Sequence, residues 1–198
     1  MFKYKRKGSL KYSLVYTPEG VAEDANSYSD SYIESEEDLK LINVYTEKVR
    51  DIDPFIMVKK FTSGVPNRDS LLEQYASGEI DVLTSMKCLD EGVDVPKSEL
   101  AIFCSSTGNP RQFIQRRGRV LRTAKGKKSA RIYDLVVIPQ LVEDDSEISA
   151  FERSLLLSEL KRVVNFSHLS ENKSETFEIF EEICQQYDIN LYEIENTL

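Results

Sequence analysis

The sequence predicts an α/β fold: a parallel sheet with helices on both faces, followed by a small C-terminal helical extension. Short apolar runs alternate with stretches of helical spacing from Lys11 to Ile138, the pattern of successive βα units. Short apolar strands alternating with helices in this way are the signature of a parallel sheet covered on both faces. Beyond Pro139-Gln140 the short runs stop and only helical spacing remains, so a boundary is expected there, with 1–140 as one domain and 141–198 as an acidic helical extension.

The first strand is Lys11–Tyr16 (KYSLVY), closed by Thr17-Pro18. From Glu19 to Asp38 the chain is rich in Ser, Tyr, Asp and Glu, which predicts a loop or insertion. Between Glu36 and Arg50, Leu39, Ile42, Val44, Tyr45 and Val49 fall near one helical stripe. Asp51-Ile52-Asp53-Pro54 stops that helix, and Phe55-Ile56-Met57-Val58 reads as a buried strand running on to Phe61. A second helix is expected over Arg68–Ala76, capped near Asn67 or Asp69 and ended by Ser77-Gly78. Strands follow at Ile80–Thr84, Leu100–Cys104 and Ala130–Ile138, with a helix from Asn109-Pro110 to about Leu121. In the extension, helical spacing covers Ile148–Phe166 and Thr176–Tyr187.

The composition, 40% hydrophobic and 30% charged, is that of a globular domain, and no apolar run approaches the roughly 20 residues of a membrane helix. Cys88, Cys104 and Cys184 lie far apart and His168 is the only histidine, which excludes a zinc cluster and argues against a disulfide scaffold. A reducing cytoplasm is the expected compartment. The net charge of −8 hides a strong asymmetry. Arg111, Arg116, Arg117, Arg119, Arg122, Lys125, Lys127, Lys128 and Arg131 share one stretch with no acid, and Lys3 to Lys11 form a second basic cluster. Acids dominate from Glu143 onward, so a basic face for polyanions coexists with an acidic tail.

The run Gln115-Arg116-Arg117-Gly118-Arg119-Val120-Leu121-Arg122 falls on the predicted third helix. Phe113, Ile114, Val120 and Leu121 are expected to face the sheet, while Gln115, Arg119 and Arg122, at i, i+4 and i+7, project together. Guanidiniums so close repel one another unless an anion lies between them, and their planar forks suit phosphate. A solvated basic helix is the plainer alternative. Gly118 costs about 1 kcal/mol relative to Ala in mid-helix, which suggests that a backbone or ligand approaches it. Upstream, a strand ends in Thr84-Ser85 and a turn follows through Gly92-Val93-Asp94-Val95-Pro96. Small hydroxyls after a strand can hold a phosphodiester oxygen, and a fixed Asp can take a ribose hydroxyl or an arginine.

These two segments resemble motifs V and VI of superfamily 2 helicases, and Ser13-Leu14-Val15-Tyr16 resembles the motif IV strand. Phe61-Thr62-Ser63, Asn67-Arg68 and Gly78 to Leu83 resemble the connection between motifs IV and V, so the likeness runs from about Lys11 to Ile138. Gln115 with the Asp90–Pro96 segment is most similar to the branch of type III restriction-subunit and excision-repair-type DNA helicases. The resemblance implies the second of two RecA-like domains that close over ATP while nucleic acid runs across both. Arg119 and Arg122 match the arginine fingers; Gln115, Arg116, Gly92 and Asp94 match the nucleotide-side and coupling positions; Thr84, Ser85 and Thr62 are candidate contacts to the nucleic-acid backbone. One departure is Met86, which stands where such proteins often carry a threonine.

A nucleotide-binding loop ending in Gly-Lys-Ser/Thr is absent: Gly126-Lys127-Lys128-Ser129 lacks the upstream glycine and has lysine at the hydroxyl position. ATP and its Mg²⁺ are therefore expected on an N-terminal RecA-like domain outside this chain, which alone should be inactive. DNA is the expected track, although side chains that read only phosphates do not separate DNA from RNA. A non-enzymatic binding module of the same fold is the competing expectation.

Overall fold

The computed structural model describes residues 10–18, 36–86, 93–104, 110–139 and 150–198. The basic start at 1–9, most of the expected insertion, Gly92 and the acids at 143–147 lie outside these residues. The chain forms two compact units, residues 1–105 with 115–135, and residues 106–114 with 136–198. The boundary expected at Pro139-Gln140 falls where the described residues break off.

The first unit is built on five parallel strands, β1 (Ser13–Tyr16), β2 (Val58–Lys60), β3 (Val82–Ser85), β4 (Leu100–Phe103) and β5 (Arg131–Asp134), in the order β2-β3-β1-β4-β5. The register places Tyr16 beside Ser85 on one side and Phe103 on the other. Leu14, Tyr16, Leu83, Ala101 and Phe103 thus share one face, and Val15, Val82, Leu100 and Ile102 the other. Helix α1 (Glu36–Arg50) buries Ile42, Thr46 and Val49 at i, i+4 and i+7. Val49 joins Val15, Val58, Val82 and Leu100 in one apolar cluster on the second face. Beside that cluster an open groove of about 420 Å³ is lined by Val15, Tyr45, Ile102, Cys104 and Tyr133. Burial pushes the Cys104 thiol up to about 11, which favours its protonated form.

Helix α2 (Arg68–Ser77) ends at Gly78, whose φ of +82° closes the last turn with its N–H on Tyr75 and Gln74 carbonyls. Asn67 precedes this helix in a left-handed conformation and makes no side-chain cap bond. Tyr75 is buried edge-on to Tyr12 and shares a 3.0 Å hydrogen bond with Ser98. Helix α3 (Pro110–Val120) carries the arginine run. Because β1 continues toward β2 and β4 continues toward β5, the topological switch falls between the carboxyl ends of β1 and β4.

Two strand expectations need correction. Phe55 and Met57 are exposed, and β2 begins only at Val58. Asp53 holds the preceding turn by accepting from Phe55 N–H through its carboxylate and from Ile56 N–H through its carbonyl. The apolar run therefore lies in a turn, and ladder pairing starts after it. The expected strand over 130–138 is limited to Arg131–Asp134, with Leu135, Val137 and Ile138 exposed beyond it.

The second unit contains α4 (Ala150–Ser167), α5 (Lys173–Ile179), α6 (Glu181–Gln186) and α7 (Leu191–Glu195). Leu156, Leu160 and Val164, at i, i+4 and i+8, meet Phe177, Ile183, Tyr187, Leu191 and Ile194 in one core. Burying each such side chain contributes roughly 1.5–3 kcal/mol. The helix expected over 176–187 is broken at Phe180, whose N–H bonds Phe177 O, and α7 carries a helical turn that periodicity did not indicate. Glu159 and Arg162 form a buried two-pronged pair at 2.9 and 2.7 Å, and Glu159 also accepts from Val137 N–H at 3.0 Å. Burial alone would raise this carboxyl, but Arg162 and the Val137 N–H hold it below the ordinary glutamate range. His168 follows α4 with its ring nitrogen 3.0 Å from Asn165 O, a helix-end role.

Candidate functional site

The site is built where α3 meets the 93–98 turn. Arg116 is almost fully buried, its guanidinium 5.1 Å from the centre of the Tyr16 ring. Tyr16 in turn stacks on Phe103 at 4.8 Å with planes only 5° apart. This layered contact sits at the carboxyl ends of β1 and β4, and a desolvated cation–π contact of this kind is worth about 2 kcal/mol. Arg116 therefore fixes α3 to the sheet. Gln115, one residue earlier, is half-buried.

Arg119 is also buried, at 8% exposure, and its guanidinium donates to the Val93 carbonyl. Arg122 lies past the end of the helix with 48% of its side chain exposed. Its guanidinium meets the Asp94 carboxylate at 2.5 Å, and Asp94 is itself 67% exposed. The two arginines thus grip adjacent residues of one turn, one from inside and one from the surface. The expectation that Gln115, Arg119 and Arg122 project together is corrected: Arg119 is directed into the body of the unit and Arg122 is not. Ile114 and Leu121, expected on the buried face, are exposed, whereas Phe113 and Val120 are buried. Arg122 lies in the non-helical tail, which removes it from the helical i, i+7 geometry.

The turn is anchored from further directions. Ser98 N–H bonds Val95 O, and its hydroxyl meets Tyr75. Lys127 Nζ donates to Pro96 O at 3.2 Å, Val120 O at 2.5 Å and Arg122 O at 2.8 Å. Burial lowers the Lys127 ammonium below its ordinary value. Sequence reasoning missed the roles of Lys127 and Ser98 at this turn. The only available signal was a Gly-Lys pair shortly after a helix end, where a lysine can take the last carbonyls.

Thr84 is fully buried, its hydroxyl 2.7 Å from that of Thr46 on α1. Ser85 is fully buried as well, its carbonyl accepting from Thr17 N–H at 2.8 Å. Thr62 is 6% exposed, and its carbonyl takes Val65 N–H at 3.4 Å. The structure does not bring these three hydroxyls together with the arginines at an open surface. Gly92 lies outside the described residues. Among the described residues a Cβ at Gly118 would meet nothing within 4 Å, so nothing there approaches its backbone. No cluster of His, Cys, Asp and Glu suited to a metal occurs among the described residues, and no helix of theirs is long and apolar enough to cross a membrane.

Residues 33–124 match the helicase conserved C-terminal domain. The chain is 38% identical over 81 residues to the DNA 3'-5' translocase XPB2 of Sulfurisphaera tokodaii, covering 41% of this chain and 18% of that protein. It is 33% identical over 92 residues to Dicer-like protein 2 of Pyricularia oryzae, covering 46% and 5% respectively. The DNA 3'-5' helicase XPB of Kineococcus radiotolerans is 36% identical over 80 residues, covering 40% and 14%. The chain thus spans less than a fifth of the length of each of these relatives. Its five-stranded parallel sheet with flanking helices is the expected RecA-like architecture, and residues 33–124 match the helicase conserved C-terminal domain.

Proposed function

We propose that this chain is the C-terminal motor domain of an ATP-dependent DNA helicase or translocase, supplying arginines to ATP held by another RecA-like domain. One observation carries the reading: Arg119 and Arg122 are bound to consecutive residues of the turn that follows β3, Val93 and Asp94. Arginines meant only for bulk polyanions would be dispersed on the surface. Here the helix end and the turn form one device, so a phosphate engaged by Arg122 displaces Asp94 and is felt in the turn.

The roles within the pair differ. Arg122, half-exposed and held at the surface by an exchangeable ion pair, is the arginine that reaches the γ-phosphate. Arg119 holds the turn from inside and gains access to a nucleotide only by releasing Val93. Gln115 and Asp94 stand at the nucleotide side, and Arg116 couples α3 to the sheet. Gly118 leaves an open, side-chain-free strip on α3 that a nucleotide or the opposing domain can approach closely. ATP with Mg²⁺ belongs to the opposing domain, because this sequence lacks the phosphate-cradling loop. The names of the relatives at Sulfurisphaera tokodaii and Kineococcus radiotolerans support DNA as the track. Track contacts are better assigned to the basic loop around Lys125 and Lys128 than to Thr84, whose hydroxyl is committed to Thr46.

Steady-state ATP hydrolysis by the isolated chain, and by the motor that joins it to its ATP-holding half, tests the reading. Negligible turnover is expected from the chain, and DNA-stimulated turnover from the motor. Robust hydrolysis by the chain itself, abolished by Arg122→Ala, would overturn it. Stimulation by RNA and not by DNA would reassign the track.

A further inference from the structure

We propose that Lys127 is a positioning residue: its ammonium locks the 93–98 turn to the end of α3 and so sets the place from which Arg122 acts. Helix ends leave their last carbonyls without intrahelical donors. In α3, Arg117 O receives Leu121 N–H at 3.0 Å and Arg119 O receives Arg122 N–H at 3.4 Å. Val120 O and Arg122 O lie beyond these bonds, and the Lys127 ammonium supplies both of them. Its third contact reaches Pro96 O, 31 residues earlier in the chain. An ammonium has three hydrogens, and here each finds one carbonyl. A cation at this end also opposes the negative pole of the helix dipole.

The return of the chain that makes this possible is a tight turn in which Lys127 N–H bonds Ala124 O at 3.1 Å. Gly126 has φ +88°, a conformation that L side chains rarely adopt, although space around it is open. The glycine is therefore needed for backbone conformation, to swing the lysine back under the helix end. The neighbouring Lys125 and Lys128 make no comparable bonds among the described residues. Without the Lys127 clasp, Arg122 is left on a tail whose carbonyl is unclaimed, and Pro96 loses a bond tying Val93 and Asp94 to the same body.

The effect on catalysis rests on the arginine-finger reading; the clasp itself does not, and the test separates them. Amide hydrogen exchange is measured on the chain for Lys127→Met, Lys127→Arg, Gly126→Ala and the control Lys125→Met. Exchange at Ser98 and Arg122 is expected to rise about ten- to a hundredfold in Lys127→Met. A smaller rise is expected in Gly126→Ala, substantial recovery in Lys127→Arg and none of these changes in Lys125→Met. In the motor with its ATP-holding half, Lys127→Met should lower kcat by about ten- to a hundredfold with KM for ATP little changed. Combined with Arg122→Ala it should add almost nothing further, since both act through one side chain.

Unchanged exchange in Lys127→Met overturns the clasp. Raised exchange with unaltered kcat, in a motor that Arg122→Ala does slow, overturns the positioning role, as does a rise in KM with kcat intact. If Arg122→Ala itself leaves kcat unchanged, the finger reading fails, and the exchange data still decide the clasp.

Discussion

The two arginines of the α3 end should separate cleanly when stability and turnover are measured together. Arg122 pairs with Asp94 at a position where both side chains are about half or more exposed. Exposed pairs of this kind contribute below about 1 kcal/mol, so Arg122→Ala should barely move the melting temperature. Arg119 is 8% exposed and donates to a backbone carbonyl. A hydrogen bond from a charged donor is worth about 1.5–3 kcal/mol, and its loss also leaves Val93 O to be solvated afresh. For a domain of this size that corresponds to a fall of about 5–10 °C. Turnover in the motor should respond differently. An arginine finger is worth about 10³–10⁵ in rate, or about 4–7 kcal/mol on the barrier. Arg122→Ala should therefore cost several kcal/mol in catalysis and almost none in folding, while Arg119→Ala costs both. Calorimetry on the chain and single-turnover hydrolysis by the motor give the two numbers. The assignment fails if Arg122→Ala unfolds the chain as readily as Arg119→Ala does, or if it leaves single-turnover hydrolysis unchanged.

Two further outcomes follow from buried polar pairs. Thr84→Val removes the Thr46–Thr84 hydrogen bond but leaves the Thr46 hydroxyl on Ile42 O, so it should destabilise the first unit by only about 1 kcal/mol without altering DNA affinity; a large fall in affinity at intact stability, read by fluorescence anisotropy, would restore Thr84 as a track contact. The Glu159 carboxyl is held below its ordinary range, so its stabilisation is complete above the unfolded-state value of about 4.3 and is lost as pH falls through the lower folded value. Protection factors of the α4 amides, corrected for slower intrinsic exchange in acid, should fall in that window, and Glu159→Gln should already show the loss at neutral pH; equal protection of both proteins at neutral pH would refute a stabilising role for the Glu159–Arg162 pair.

Much of the architecture was legible because periodicity reports burial directly. The strands at Ser13–Tyr16, Val82–Ser85 and Leu100–Phe103 each carry a short apolar run, and the sheet buries them on both faces. The same signal misled at Phe55-Ile56-Met57, where hydrophobicity marks an exposed turn and the ladder begins a few residues later. It also missed α7, whose short helix is supported by the Asn190 side chain capping Tyr192 N–H and by the packing of Leu191 and Ile194.

The arginine site divides along the same line. The sequence by itself determined the chemistry available: nine cations without an acid from Arg111 to Arg131, a turn carrying Asp94, and no Gly-Lys-Ser/Thr run of the phosphate-binding type. Residue type and local order suffice for that, since charge and motif are properties of the chain. Only the tertiary structure decided which arginine stays at the surface. Helical spacing treats Arg119 and Arg122 alike, yet Val93 and Asp94, distant in sequence, draw one guanidinium inward and leave the other at the surface. Lys127 belongs to the same class of fact, because its three acceptors come from two separate segments that only folding brings within reach of one ammonium.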